Sequence, residues 1–348
     1  MTIFKNINMK FFHNLLGLVI AVLFLIACDS KTEHENVKVV VAKPMNDSFI
    51  YHIDTTDAKY KNSPYLLAYD KALSLWGVPF EEKDFKTKYG KAHVFVCGPD
   101  SAPPLVLLHG MNASSSMWYP NIKALSEKYR LYAIDFILEP GKSFCEKEMS
   151  QTSEIVNWYF EVFDHLQLKK ISLLGASRGG WIATNIALKD PGRINKMILL
   201  SPAQTFIWIR PSARAFHNIA YTLSPKRRKL RNVLETMTNN VDNINQLYLN
   251  QYYLATEEAS INKCFIQMRP FSDKELESLK MPVLVLIGDN DIINNKKSLK
   301  RAKKLIKYSE VGTIKNAGHF LSVDKADLVN QMMIDFMEKK PLEINHMK

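Results

Sequence analysis

Ile171-Ser172-Leu173-Leu174-Gly175-Ala176-Ser177-Arg178-Gly179-Gly180-Trp181-Ile182-Ala183-Thr184 reads as an apolar strand, a tight turn and the start of a helix. A buried strand that breaks into a helix at Gly-x-Ser-x-Gly is the recipe for a nucleophile elbow. The turn is too tight for a large side chain two residues either side of the serine, so both flanks are glycine. Its strained geometry lifts the hydroxyl clear of the sheet and aims the next backbone N–H at the reacting centre. The pentapeptide alone is a weak signal. The strand Lys169–Leu174 before it and the helix Gly180–Leu188 after it, with small residues on the face toward the sheet, give it weight.

Outward from the elbow, strand and helix alternate. Apolar strand-like runs occur at Ala92–Cys97, Pro104–Leu108, Tyr129–Ile137, Met197–Leu200, Val283–Ile287 and Glu310–Ile314. Helical spacing recurs at Tyr65–Trp76, Asn121–Lys128 and Glu154–Leu166, and in a closing amphipathic stretch with Leu328, Val329, Met332, Met333, Phe336 and Met337 on one face. Near-continuous apolar strands suit parallel pairing with both faces covered, and their alternation with helices predicts an open α/β sheet. One gap breaks the rhythm. About eighty residues between Ser201 and Val283 hold no convincing strand but many aromatics, among them Phe206, Trp208, Phe216, Tyr221, Tyr248, Tyr252, Tyr253, Phe265 and Phe271. The expectation is an inserted helical cap over residues 204–280, dividing a core of residues 64–203 and 281–348. The aromatics suit either an apolar substrate pocket or the cap's own core.

A serine hydroxyl is a poor nucleophile until a base takes its proton, and that base needs an orienting acid. On this architecture the chain order is serine, acid, histidine. Val283–Asp291 ends a strand in Gly288-Asp289-Asn290-Asp291, and Glu310–Phe320 ends one in Asn316-Ala317-Gly318-His319-Phe320. Functional groups collect at the carboxyl ends of strands in such sheets.

Across roughly residues 85–340 the chain resembles the α/β-hydrolase superfamily, most closely its serine carboxylesterase-like members with an inserted cap. The matching residues are Leu107-Leu108-His109-Gly110, Gly175–Gly179, Gly288-x-x-Asp291 and Gly318-His319-Phe320. The resemblance implies an α/β-hydrolase fold, with a mostly parallel central sheet flanked by helices. It implies Ser177 as nucleophile, His319 as general base and Asp291 as orienting acid, with Asp289 the second choice. It places the oxyanion hole at the backbone N–H groups of Met111 and Arg178. Arg178 departs from the hydrophobic residue or Gln commoner there, so its charge is expected either to pair with a nearby acid or to touch an anionic substrate group. The activity implied is carboxylic ester hydrolysis of small or medium apolar esters, with no metal and no organic cofactor. An acyltransferase or peroxidase-like enzyme with the same triad, and a non-catalytic binding or signalling module on the same fold, remain open alternatives. Serine at the elbow argues against haloalkane dehalogenase and epoxide hydrolase chemistry, which in this superfamily uses aspartate there.

Competing residues have simpler readings. His109 in a His-Gly motif makes structural hydrogen bonds at a strand end, and Asp135 before Phe136–Ser143 is structural by the same resemblance. Gly141-Lys142-Ser143 looks like part of a phosphate loop, but Phe136 stands where that motif needs glycine. Asn46-Asp47-Ser48 and Asn112-Ala113-Ser114 are glycosylation sequons by pattern.

The N-terminus reads as an address. Lys5 and Lys10 precede the apolar run Leu15–Ala27, about thirteen residues, which suits a signal-peptide core but is shorter than the ~18–20 of a spanning helix. Leu25-Ile26-Ala27-Cys28 resembles a bacterial lipobox. Residues 1–27 are therefore expected to be a signal peptide cleaved before Cys28, whose lipid would hold the protein in the cell envelope facing the periplasm or exterior. Residues 28–63 would form a tether and accessory segment. The remaining cysteines, Cys97, Cys145 and Cys264, are widely spaced and lack zinc-ligand spacing, so they read as buried fillers. Net charge is +11 over 348 residues. The basic run Lys226–Arg231 is read as a solvated helix face or an attraction to anionic lipid, and no nucleic-acid partner is expected.

Overall fold

The computed structural model describes residues 63–209, 226–258 and 268–339. The expected signal peptide, Cys28, the tether through residue 62, the segments 210–225 and 259–267 of the insertion (with Phe216, Tyr221, Cys264 and Phe265), and residues 340–348 lie outside them.

In chain order the elements are α1 Pro64–Leu73, β1 Glu81–Thr87, β2 Gly90–Cys97, β3 Pro104–Leu108, α2 Ile122–Ser126, β4 Arg130–Asp135, β5 Phe144–Cys145, α3 Thr152–His165, β6 Ile171–Ala176, α4 Arg178–Lys189 and β7 Ile194–Leu200. They continue with α5 Arg227–Met237, α6 Gln246–Glu258, α7 Asp273–Glu277, β8 Val283–Gly288, α8 Lys296–Leu305, β9 Ser309–Ile314, α9 Leu321–Asp324 and α10 Ala326–Glu338. Helix starts follow local chemistry. Ser63 accepts the Leu66 N–H at 3.2 Å ahead of Pro64, and Ser272 with Glu275 forms a capping box on α7.

Among the described residues nine strands make one sheet in the order β1-β2-β4-β3-β6-β7-β8-β9, with β5 beside β2. From β4 to β9 along this order every pair is parallel. β1, β2 and β5 pair antiparallel at one edge. This is the α/β-hydrolase architecture expected, with helices on both faces. Alternate residues of β3 show why: Leu105 and Leu107 join the cluster with Tyr69, Trp118 and Met333, while Val106 and Leu108 join the one with Trp158, Ile182 and Leu299.

Two expectations need correction. Glu81–Thr87 is a strand with no apolar run to announce it, because a half-exposed edge strand carries Glu81, Glu82, Lys83, Asp84 and Lys86. The run Tyr129–Ile137 leaves the ladder at Asp135. There the Phe136 N–H turns aside to donate to His109 Nε2 at 2.9 Å.

Between β7 and β8 the described residues form helices and no strand. Leu230, Val233, Leu234, Tyr248 and Tyr253 make a separate apolar cluster there, whereas Phe206, Phe271, Leu276 and Leu279 pack into the main core. Gln251 of α6 is buried. It donates to Tyr65 Oη at 3.3 Å and Ser114 Oγ at 3.1 Å, and accepts from Ser116 Oγ at 3.0 Å. The insertion is thus fastened both to α1 and to the loop after β3.

Candidate active site

Parallel pairing brings the C-terminal ends of β3, β6, β8 and β9 to one edge, and the loops that leave them carry the expected residues. Ser177 follows β6 at φ 51°, ψ −116°, a left-handed conformation rare for a residue with a side chain. Its surroundings hold it there. The Ser177 N–H donates to Leu200 O at 2.9 Å, and its carbonyl accepts the Ala203 N–H at 3.1 Å. The flanking glycines are required by contact rather than by φ: a Cβ on Gly175 would lie 2.4 Å from Gly179 O, and one on Gly179 would lie 2.0 Å from Leu108 O.

His319 reaches Ser177 from the loop after β9, with Nε2 2.9 Å from Oγ. Its other ring nitrogen, Nδ1, lies 2.9 Å from Asp291 Oδ1. The three residues form one relay, with the His319 and Asp291 side chains 2% and 0% exposed. Burial disfavours charge on Asp291. Attraction to a His319 imidazolium, the hydrogen bond from His319, and backbone hydrogen bonds from Ile293 (2.8 Å on Oδ1) and Asn294 outweigh it and hold the carboxyl below the usual aspartate range. An ionised Asp291 accepts a hydrogen bond from Nδ1–H, the tautomer in which Nε2 is an acceptor facing Ser177 Oγ. Asp289 faces elsewhere, accepting the Ala317 N–H at 3.1 Å.

The histidine loop has an anchor that the sequence motifs did not reveal. Asp324, buried at the end of α9, accepts N–H groups from Gly318 at 2.7 Å and from Asn239 at 2.9 Å, and the Thr238 hydroxyl also donates to it. The Phe320 N–H donates to Met237 O at 2.8 Å. A carboxylate five residues past the histidine is the only sequence signal for this anchor.

The loop after β3 faces the elbow: a Cβ on Gly110 would stand 3.4 Å from Ser177 Cβ. Met111 is half exposed. Asn112, at φ 54°, donates its N–H to Glu139 Oε2 at 2.8 Å. Among the described residues the backbone N–H groups of Met111 and Arg178 have no protein acceptor. Arg178 follows Ser177 and Met111 follows Gly110, so both amides lie on the two turns that meet at the elbow.

The remaining residues take structural places. Because the Phe136 N–H can only donate, His109 Nε2 accepts it, and Nδ1 carries the hydrogen that is donated to Gly110 O at 2.9 Å. Burial pushes this imidazole down to about 4, against the opposing pull of Asp135. Asp135 accepts from Tyr69 Oη at 2.9 Å, the Ser115 N–H at 2.9 Å and the Lys142 N–H at 2.7 Å. Lys142 pairs with Asp70 at 2.8 Å and Glu82 at 2.7 Å, so Gly141-Lys142-Ser143 wraps a carboxylate. Arg178 is buried against Glu139 in an ion pair, which answers the question its charge raised. Cys97 is buried, its thiol pushed up to about 12 by desolvation. Among the described residues no group of three or more His, Cys, Asp or Glu is placed to hold a metal ion.

Residues 103–223 match the family described as alpha/beta hydrolase fold. The protein described as uncharacterized carboxylesterase nap of Bacillus subtilis (strain 168) is 35% identical over 283 residues, covering 78% of this chain and 91% of its own length. Carboxylesterase YbfK of the same organism is 32% identical over 282 residues, covering 78% and 92%. Among solved structures, naproxen esterase (carboxylesterase NP) from Bacillus subtilis superposes with a TM-score of 0.74 at 33% identity, covering 78% of this chain and 96% of its own. With these relatives aligned over most of their length, the chain belongs to the α/β-hydrolase family, among its carboxylesterase-like members.

Proposed function

We propose that this protein hydrolyses carboxylic esters through an acyl-enzyme on Ser177. The observation that carries the reading is the buried relay Ser177–His319–Asp291, with 2.9 Å at each link. In this reading Ser177 Oγ attacks the ester carbonyl carbon while its proton passes to His319 Nε2. The carbonyl oxygen, now negative, is held by the Met111 and Arg178 amides. Collapse expels the alcohol, which leaves with the proton from His319. Water then attacks the acyl carbon, giving one proton to His319, and the acid departs as Oγ recovers it. Loss of one oxyanion donor costs about 3–4 kcal/mol of barrier in such a site.

The carboxylesterase relatives support ester hydrolysis, and the exposed Met111 on the loop that meets the elbow at Gly110 supports small or medium apolar substrates. Turnover of p-nitrophenyl acetate, butyrate and palmitate, with and without added alcohols, tests this. The reading predicts water as acceptor and faster acetate and butyrate release. A rate that depends on alcohol with ester as product would replace hydrolase by transferase. The lipobox-like Leu25–Cys28 further supports an envelope protein tethered by lipid on Cys28. That part fails if Cys28→Ala leaves the protein in the membrane fraction and wild type takes up no labelled fatty acid.

A further inference from the structure

Arg178 and Glu139 sit where an apolar contact would serve stability as well. Their side chains are 13% and 6% exposed, the guanidinium contacts Glu139 Oε1, and its Cζ lies 4.9 Å from the centre of the Phe136 ring. Burial raises the Glu139 carboxyl above the usual glutamate range, although the arginine charge opposes it. A buried ion pair offsets its own desolvation poorly, so stability is a weak reason for one. Connectivity is a better one. Glu139 belongs to the turn after β4, its own N–H donating to Phe136 O at 2.9 Å. One carboxylate oxygen meets the side chain of Arg178, whose backbone N–H is one oxyanion donor. The other accepts the Asn112 N–H at 2.8 Å, one peptide beyond the Met111 donor.

We propose that Glu139 and the Arg178 side chain are positioning residues, a clasp that fixes the two oxyanion amides relative to each other. The inference rests on the Ser177 reading above. A carboxylate is planar and rigid, so its two oxygens hold the first turn of α4 and the loop after β3 at a set separation. Fixing the Asn112 N–H also fixes the plane of the Met111–Asn112 peptide, next to a residue held at φ 54°. The Met111 N–H belongs to the preceding Gly110–Met111 peptide, one Cα away, so this anchor limits where that peptide can lie without any contact between clasp and substrate. Because the pair is neutral, Arg178 is not a receptor for anionic substrates. The oxyanion forms only during reaction, so misplacing its donors lowers kcat more than it raises KM.

The test compares Glu139→Gln, Arg178→Met and the charge-free double variant Arg178→Met/Glu139→Leu, using p-nitrophenyl butyrate and an aryl trifluoromethyl ketone, whose adduct on serine carries an oxyanion. Each single variant should lose about 10–100-fold in kcat with KM held within about threefold. The inhibition constant of the ketone should rise by the factor that kcat/KM falls. The double variant should be no worse than the poorer single one, since the two residues act as a unit. It buries no lone charge, so it keeps the test open if a single variant fails to fold. A double variant with wild-type melting temperature and kcat within about twofold of wild type overturns the clasp. So does a rise in KM with kcat and ketone affinity unchanged, which would put Arg178 on the substrate. Wild-type protein that neither turns over the ester nor is labelled by a fluorophosphonate overturns the Ser177 reading itself, and the clasp with it.

Discussion

Asp291→Asn should nearly abolish turnover while Asp289→Asn leaves it intact, and the local hydrogen bonds say why. Oδ1 of Asp291 serves two donors, His319 Nδ1 at 2.9 Å and the Ile293 N–H at 2.8 Å, and Oδ2 accepts from Asn294 Nδ2 at 3.2 Å. An asparagine has one acceptor to offer. If its oxygen takes the Oδ1 position, its amide nitrogen confronts the Asn294 amide, which is itself engaged through Oδ1 with Ser298 Oγ at 3.1 Å. If its nitrogen takes the Oδ1 position, it confronts the Ile293 N–H and makes His319 Nδ1 an acceptor. The ring then carries its hydrogen on Nε2 and cannot take the Ser177 proton. Either arrangement also removes the charge that stabilises the imidazolium. The expected loss in kcat is about 10³–10⁴-fold, or about 4–5 kcal/mol of barrier. Asp289 accepts from the loop backbone, at Ala317 N and from its neighbours Asn316 and Asn290, and an asparagine oxygen can take much of this role. Asp289→Asn should therefore stay within about twofold of wild type. Steady-state p-nitrophenyl butyrate hydrolysis at saturating substrate measures both, with thermal melts to check folding. A folded Asp291→Asn that keeps more than about a tenth of kcat, or an Asp289→Asn equally impaired, would refute the assignment.

Other consequences concern the frame around the site. Gly179→Ala would put a Cβ 2.0 Å from Leu108 O, a backbone atom with no freedom to retreat. It should cost about 3 kcal/mol in denaturant unfolding and most of the activity, and an unchanged midpoint would contradict the close approach. Gln251→Leu strips partners from the Tyr65, Ser114 and Ser116 hydroxyls. A lower melting temperature, equivalent to about 2 kcal/mol, is expected. His109 titrates near 6.5 when unfolded and is held down to about 4 when folded. Between those values the unfolded chain binds the extra proton, so stability falls as pH drops through this window, by about 3 kcal/mol in all. Urea unfolding of His109→Gln should show correspondingly less acid sensitivity from pH 6.5 to 4, and a slope equal to wild type would exclude His109 as its source.

What the sequence revealed followed burial. β3, β6, β7 and β8 are covered on both faces and read as largely apolar runs, the few buried polar side chains such as Lys196, whose Nζ donates to Phe336 O at 3.0 Å, being tied to partners. β1 was invisible for the opposite reason: it is rich in charged residues, some facing solvent and Glu82 paired with Lys142, and its pairing with β2 is what makes it a strand. The serine and histidine were legible because each sits in a glycine-bounded turn that the fold needs. Asp291 was chosen over Asp289 by the resemblance alone, since both end the same strand and only the direction of the loop separates them. The Glu139–Arg178 pair and the Asp324 anchor were also hidden. Their partners come from different loops, and nothing in linear spacing joins a carboxylate after β4 to an arginine after β6. Phe206 and Phe271 looked like residues of the inserted cap and instead fill the main core, because the two ends of the insertion return to the sheet.

Catalysis in this protein would turn on one atom, Ser177 Oγ, activated by His319. Treating the folded protein with a fluorophosphonate and mapping the adduct by peptide mass spectrometry tests it most directly. The account predicts rapid, stoichiometric modification of Ser177 that is lost in Ser177→Ala and greatly slowed in His319→Ala. A well-folded protein that takes no label, or takes it on another residue at the same rate in Ser177→Ala, would contradict it.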